Sequence, residues 1–410
     1  MLRSLLARME TNSKSLKKKK NNNSLLIILM VSVVTTATAN TIIRRITLVP
    51  LKHYPYLLTQ MQGVMYTIFY GSILWSRYKQ HDGTVTIEML QIPKLPFLYI
   101  GFWDSLGDIL GNIGTSQLPG YQVPLLAKLN IIFSAIFSKW ILKKIYTTSQ
   151  VGAMFLVLCG SIITLLPVIS SQMFTTTNHE EDISNDNKDK NGASSTTTAT
   201  SLFYAMVYIC SVAPTALAFV LKEQIFDQHR ELNLDIFVVN TYGSIVSLIF
   251  TILLLPLAAI PGFGEVSLSD LPSYMQRGFD CFRGINPTVY DDCTGDPMAP
   301  MLYFAINVTY NICILALVKH GGALLTFLTN TVTFPLSTIL FTLSWPLLGA
   351  STLSGFVIVG LLVELSGIIL YHRVTSLDIK SNSEDADNEP HEQLELLNEN
   401  SLNDNNYGAI

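Results

Sequence analysis

Residues 95–144 read LPFLYIGFWDSLGDILGNIGTSQLPGYQVPLLAKLNIIFSAIFSKWILKK, and three charges inside this apolar hairpin decide the fold. The first arm, 96–115, is about 20 residues long, enough to cross the roughly 30 Å hydrocarbon core of a bilayer. It nevertheless carries Asp104 and Asp108. Four residues apart, they share one helical face, and Gly101 and Gly111 fall on the same face. A stripe both small and acidic belongs against neighbouring helices or along a cavity, not against lipid. After a short uncharged turn the chain returns through 121–142 with Lys128 inside, at nearly the depth of Asp108. A charge at the bilayer centre costs about 2.5 to 3.5 kcal/mol on insertion scales, so three in one hairpin must pair or face water. The expectation is that Asp108 and Lys128 form a structural ion pair and that Asp104, without an obvious cationic partner, exchanges protons. A hydrogen-bonded structural aspartate is the plainer alternative for Asp104.

Composition agrees with a membrane protein. Of the 410 residues 49% are hydrophobic and only 14% charged, which excludes an ordinary soluble enzyme of this length. The net charge of −4 points away from a nucleic-acid partner. The five cysteines have no metal-ligand spacing, and neither metal nor cofactor is expected. Cys159, Cys210 and Cys313 sit in apolar runs as small core residues.

Ten apolar segments follow one another, at 24–43, 54–75, 96–115, 121–142, 150–169, 201–221, 235–258, 300–318, 322–345 and 352–371. The first also fits a cleaved signal, because Ala37-Thr38-Ala39 resembles a small-residue cleavage site; its length favours a span. With the amino terminus inside, most of the 26 basic residues, among them the run Lys17 to Lys20 and Lys139, Lys143 and Lys144, fall on the cytoplasmic side. The positive-inside rule then puts both termini in the cytoplasm. The fold class expected is all-α integral membrane, with ten transmembrane helices as two inverted five-helix repeats, because five is odd and the halves must insert in opposite directions. The repeats are 24–169 and 201–372. Around them lie a disordered basic arm (1–23), a flexible acidic linker (170–200) and a disordered acidic tail (373–410).

The non-cytoplasmic loop 261–299 holds Cys281 and Cys293. Both face the oxidising side in this topology and no other cysteine does, so a disulfide between them is expected. In the tail, Glu392-Gln393-Leu394-Glu395-Leu396-Leu397 has the form of an acidic dileucine sorting signal, with Glu392, Leu396 and Leu397 as its defining residues and a sorting adaptor as its reader.

Taken in order, further residues give the chain a family likeness over about 30–375. They are Asn40-Thr41 before the basic pair Arg44-Arg45, Asp104, Lys222-Glu223, Asp235 with Asn240, Asp292-Cys293 in the cysteine loop, Asn311, Pro335, and Tyr371 to Arg373. In their order and spacing the sequence resembles the chloroquine resistance transporter family of the drug/metabolite transporter superfamily. The resemblance implies a ten-helix carrier, not an enzyme, of a digestive vacuole or plastid. Its cargo would be amino acids, peptides, thiols or basic drugs, often driven by protons. It places Asn40, Thr41, Gln62, Asp104 and Glu223 on the substrate or proton pathway, beside Asp108, Lys128 and Glu364 from the residue reading. Departures from the family pattern stand at Thr41 (a lysine in the drug-sensitive type), Gln62 (a histidine) and Tyr310 (an aspartate); two cysteines of the family's four-cysteine loop are missing, and Glu364 has no counterpart.

The function expected is therefore a secondary transporter of small organic solutes in a vacuolar or endolysosomal membrane, with membrane lipid, the solute and protons as partners. A nucleotide-sugar or sugar-phosphate carrier shares the fold, but phosphate binding wants Lys or Arg in the spans, and the ninth has none. An intramembrane aspartyl protease needs Gly-x-Gly-Asp, whereas Ser105-Leu106-Gly107-Asp108 stands here. A non-transporting receptor or scaffold would have no use for Asp104 and Glu364 inside the membrane.

Overall fold

The computed structural model describes residues 2–48, 50–51, 54–80, 85–117, 122–181, 193–256, 267–286, 293, 298–343 and 355–377. Among them the regular structure is helical throughout, without strands. The helices are α1 (Leu2–Leu48), α2 (Pro55–Lys79), α3 (Ile87–Leu90), α4 (Leu95–Gln117), α5 (Gln122–Ala127), α6 (Leu129–Ile141), α7 (Thr148–Glu181), α8 (Ala193–Gln228), α9 (Ile236–Leu254), α10 (Leu271–Phe282), α11 (Met298–Thr331) and α12 (Thr333–Leu340). A last helix, α13, covers Gly355–Leu377.

The described part of each of the ten apolar segments is mainly helical. Five helical stretches are long and apolar enough to cross a membrane: Ser24–Thr47, Phe203–Gln228, Ile236–Leu254, Met298–Leu340 and Gly355–Leu377. The protein is thus a multi-pass membrane protein. Large apolar side chains such as Ile28, Ile68, Ile252, Leu253, Phe356 and Leu362 are exposed, as they must be where the solvent is lipid and only the backbone has to be satisfied internally.

Several boundaries differ from the sequence expectation for local reasons. The backbone of 2–23, expected as an arm without structure, continues α1; it holds no Pro or Gly and is rich in Leu, Lys and Arg, which propagate a helix already nucleated by the span. The ends of the expected linker are likewise helical, as parts of α7 and α8, and 182–192 lie outside the described residues. The segment 121–142 is two helices, interrupted at Lys128. Conversely 300–318 and the first part of 322–345 run together through α11, with a kink at Gly322 (φ 83°, ψ 166°), a conformation open essentially to glycine alone. The first residues of the expected tail, 373–377, continue the last helix, and the rest with its dileucine motif lies outside the described residues.

Between lipid-facing helices, apolar burial supplies little drive, so close approach at small residues has to hold the bundle. Helix α4 packs on α8 and α9, α1 on α11 and α12, α6 on α8, and α2 on α9. A Cβ on Gly114 would fall 2.7 Å from Tyr208 Cβ, and one on Gly160 2.7 Å from Glu364 N, which is how near α4 lies to α8 and α7 to α13. Hydroxyls add cross-links: Ser105 Oγ on α4 lies 2.8 Å from the Ser247 carbonyl on α9. Buried Ile131, Val157, Leu328 and Ile368 fill the space between α6, α7, α11 and α13. At one end α10 packs Gly278 against Tyr54 and Leu57 before α2 and in it, and Cys281 is joined to Cys293 with Cα atoms 5.1 Å apart, as expected.

Candidate functional site

Among the described residues, three polar clusters in the bundle take up most of the residues singled out in the sequence; Asp235 is paired elsewhere, with Arg77 at 2.6 Å.

The first surrounds the acidic pair. Helix periodicity sets Asp104 and Asp108 on the same face of α4, but their environments differ. Lys222, from α8, places Nζ 2.6 Å from Asp104 Oδ2 and 4.8 Å from the centre of the Phe219 ring. Asp104 therefore has the cationic partner that the sequence did not reveal. Asp108 forms no ion pair with Lys128; this expectation fails because equal depth on two arms of a hairpin says nothing about which way each helix is rotated. Among the described residues Asp108 has no ion pair within 4 Å. Its side chain is accessible, yet groups on four other helices act on it or feel it, Arg44 on α1, Tyr66 on α2, Lys222 on α8 and Tyr303 on α11, so it faces a cleft between them. The charges acting on it are Asp104, Lys222 and Arg44.

Across that cleft stands a network of amides and phenols. The Tyr66 hydroxyl donates to Asn307 Oδ1 and accepts from Gln62 Nε2 at 3.0 Å and Asn311 Nδ2 at 2.5 Å. Tyr303 donates to Gln62 Oε1 at 2.8 Å, and Asn307 Nδ2 donates to Asn40 Oδ1 at 3.0 Å. The field of Asp108 reaches Tyr66 and Tyr303, so network and carboxylate share one space. Thr41 is not part of it: its hydroxyl donates to Ala37 O at 2.9 Å in its own helix. Tyr310 donates to Asn330 Oδ1 at 3.2 Å. Sequence reasoning passed over Tyr66, Tyr303 and Asn307. Their signal was present, as Gln62 with Tyr66 and Tyr303 with Asn307 and Asn311 form polar stripes at intervals of four on otherwise apolar helices.

The second cluster joins Lys128 to Glu364. Lys128 Nζ lies 3.9 Å from Glu364 Oε1 and donates to the Thr331 carbonyl at 3.2 Å. Ser161 donates to Glu364 Oε1 at 2.6 Å. Pro335 has no N–H to offer the carbonyl four residues back, which leaves Thr331 O without a helical donor, and the lysine fills the vacancy. Lys128 and Glu364 are both buried.

The third cluster closes the kink at Gly322. Glu223 accepts the Ala323 N–H at 2.9 Å and is paired with Lys144. A carboxylate on the first free N–H after a break works as a helix cap and favours the positive end of the dipole. A side chain at Gly322 would collide with Glu223.

Apolar helices long enough to span a bilayer, with an acidic cleft bordered by amides and phenols between them, define a polytopic membrane protein. The chain belongs to the CRT-like, chloroquine-resistance transporter-like, family, whose model matches residues 26–371. It is 32% identical to protein CLT1, chloroplastic, of Arabidopsis thaliana over 81% of this chain and 69% of that one. Against protein CLT2, chloroplastic, of the same plant the identity is 31% over 83% and 74%. It is 26% identical to the chloroquine resistance transporter of Toxoplasma gondii, over 82% of this chain and 36% of that protein.

Proposed function

We propose that this protein is a proton-coupled secondary transporter of small organic solutes: amino acids, peptides or thiols, and cationic drugs where they fit. The observation that carries this reading is the asymmetry of the acidic pair. Asp104 is neutralised by Lys222, while Asp108 faces the cleft without an ion pair among the described residues. One carboxylate is thereby paired and the other left free to exchange a proton. Protonation of Asp108 removes the negative charge that attracts a cationic group, so proton binding and solute release are linked at one residue.

The packing supports two inverted repeats of five spans. Numbering the spans in chain order, advancing each by five turns span one on eight and nine (α1 on α11 and α12) into span six on three and four (α8 on α4 and α6), and both sets are present. Span two on seven and span five on ten map onto themselves, and these too are in contact. This is the arrangement in which carriers alternate access around a central site.

Lys222 argues against a phosphate-bearing solute, since Asp104 already occupies it. The membrane proposed is endolysosomal or vacuolar, with both termini cytoplasmic and the motif at Glu392, Leu396 and Leu397 read by a sorting adaptor. A plastid is the competing destination, given the names of the Arabidopsis relatives. Microscopy of the tagged protein with Leu396 and Leu397 replaced by alanine decides between them, because an unchanged location rejects the motif. The transport reading is tested by uptake of amino acids, peptides and thiols into proteoliposomes under an imposed pH gradient. Accumulation of one class that collapses with the gradient supports it, and no gradient-dependent uptake of any class rejects it.

A further inference from the structure

The Lys128–Glu364 cluster lies apart from the cleft, and its hydrogen bonds are incomplete. An ammonium has three protons to donate and a carboxylate about four sites to accept them. Lys128 donates one hydrogen bond, to Thr331 O, and stands 3.9 Å from the carboxylate, beyond hydrogen-bond length. Glu364 Oε1 accepts from Ser161, while Oε2 is buried and has no hydrogen-bond partner. Buried polar groups are nearly always satisfied, and the exceptions ask for an explanation. Lys128 is the charged group acting on Glu364, and Glu364 the one acting on Lys128.

The placement of the cluster adds a second observation. Lys128 sits where α5 passes into α6, with a tighter turn from Ile131 N–H to Lys128 O at 3.1 Å, and Thr331 sits where α11 passes into α12, with Val332 N–H on Thr329 O at 3.3 Å. These two interruptions fall in spans four and nine, which correspond in the two halves. Paired interruptions of this kind mark the sites where carriers bind their coupling ions. The lysine reaches from the first half to a freed carbonyl and a carboxylate in the second, as a bound cation would.

We infer that Glu364 is a second proton-binding site, in which the proton enters at Oε2 and Lys128 serves as a built-in counter-cation bridging the two halves. When the proton binds, the carboxyl becomes neutral, no other bond is made or broken, and the attraction joining Lys128 to Glu364 is lost. The Thr331 carbonyl then remains the ammonium's partner. Protonation thus loosens span ten from span four while the contact between spans four and nine persists. This deepens the proton-coupled reading above, but the binding event stands or falls separately from transport.

Infrared difference spectra of the purified protein in lipid vesicles, acid minus neutral, test it. One protonated-carboxyl C=O band is expected to appear on acidification in the wild type and in a D104N/D108N double variant and to be missing from E364Q, which keeps the bands of Asp108 and of exposed carboxyls. In S161A, which preserves the charges, the band should shift because the donor to Oε1 is gone; in K128M it should already be present at neutral pH. A band unchanged in E364Q, or unshifted in S161A if E364Q does not fold, overturns the site, as does its absence from the wild type. If the band behaves as expected while uptake ignores the pH gradient, the site stands and the proton-coupled reading falls.

Discussion

Asp104 and Lys222 lie 2.6 Å apart between α4 and α8, their side chains 22% and 16% exposed. The lysine turns what the sequence presents as two similar carboxylates into two different ones. Neutralising either member strands a partly desolvated charge, whereas neutralising both removes the pair together. A thermal-unfolding cycle of wild type, D104N, K222Q and the double variant in detergent should give a coupling energy of about 1–3 kcal/mol. Additive losses would contradict the pair.

Lys128 gives a sharper discrimination. Its removal forces Glu364 either to stay buried as an unpaired charge or to take up a proton, a loss of up to roughly 3–5 kcal/mol for breaking one side of a buried pair. Folded yield of K128M should recover on adding E364Q and not on adding D108N. Rescue by D108N would restore the pairing suggested by hairpin depth.

The kink at Gly322 depends on a backbone conformation with φ 83° and on Glu223 over the following N–H. Gly322→Ala should cost about 1–3 kcal/mol from strain alone, plus displacement of the Glu223 carboxylate. Glu223→Gln, which retains an acceptor for the Ala323 N–H, should be milder than Glu223→Ala, where loss of a cap costs about 0.5–2 kcal/mol. Unfolding midpoints of the three variants check the order.

The Cys281–Cys293 bond closes a short segment at the α10 end. In the chain-entropy model a loop of this size contributes about 3 kcal/mol, so C281S/C293S should unfold earlier than wild type without reductant and at the same temperature with it. Peptide mapping that finds both thiols free would remove the bond.

Much of the fold was legible because membrane helices announce themselves by length and hydropathy. The apolar runs, the α4 stripe of Gly101, Asp104 and Asp108, and the disulfide all follow from local pattern and sidedness. What the sequence did not show depends on rotation about helix axes. Periodicity puts Asp104 and Asp108 on one face but cannot say that Lys222, 118 positions away, will reach the first and leave the second. In the same way Lys128 was assigned to Asp108 from depth, although its partner lay in the last span. Glu364, conspicuous as a lone carboxylate, and the Thr331 carbonyl, orphaned by Pro335, were both visible; their meeting at Lys128 is tertiary. The polar stripe of Tyr303, Asn307 and Asn311 was readable from its spacing, but only Asn311 stood out, because uncharged side chains on an apolar helix carry a weak signal.

The central claim is that Asp108 exchanges the coupling proton in a cleft shared with Tyr66 and Tyr303. Its most direct test is pH-gradient-driven solute uptake into proteoliposomes by Asp108→Asn, which keeps the shape of the side chain and removes its titration, compared with wild type at equal folded protein. The variant is expected still to bind and exchange solute down its own gradient but no longer to accumulate it in response to the pH gradient. Accumulation by the variant with the wild-type pH dependence would contradict it.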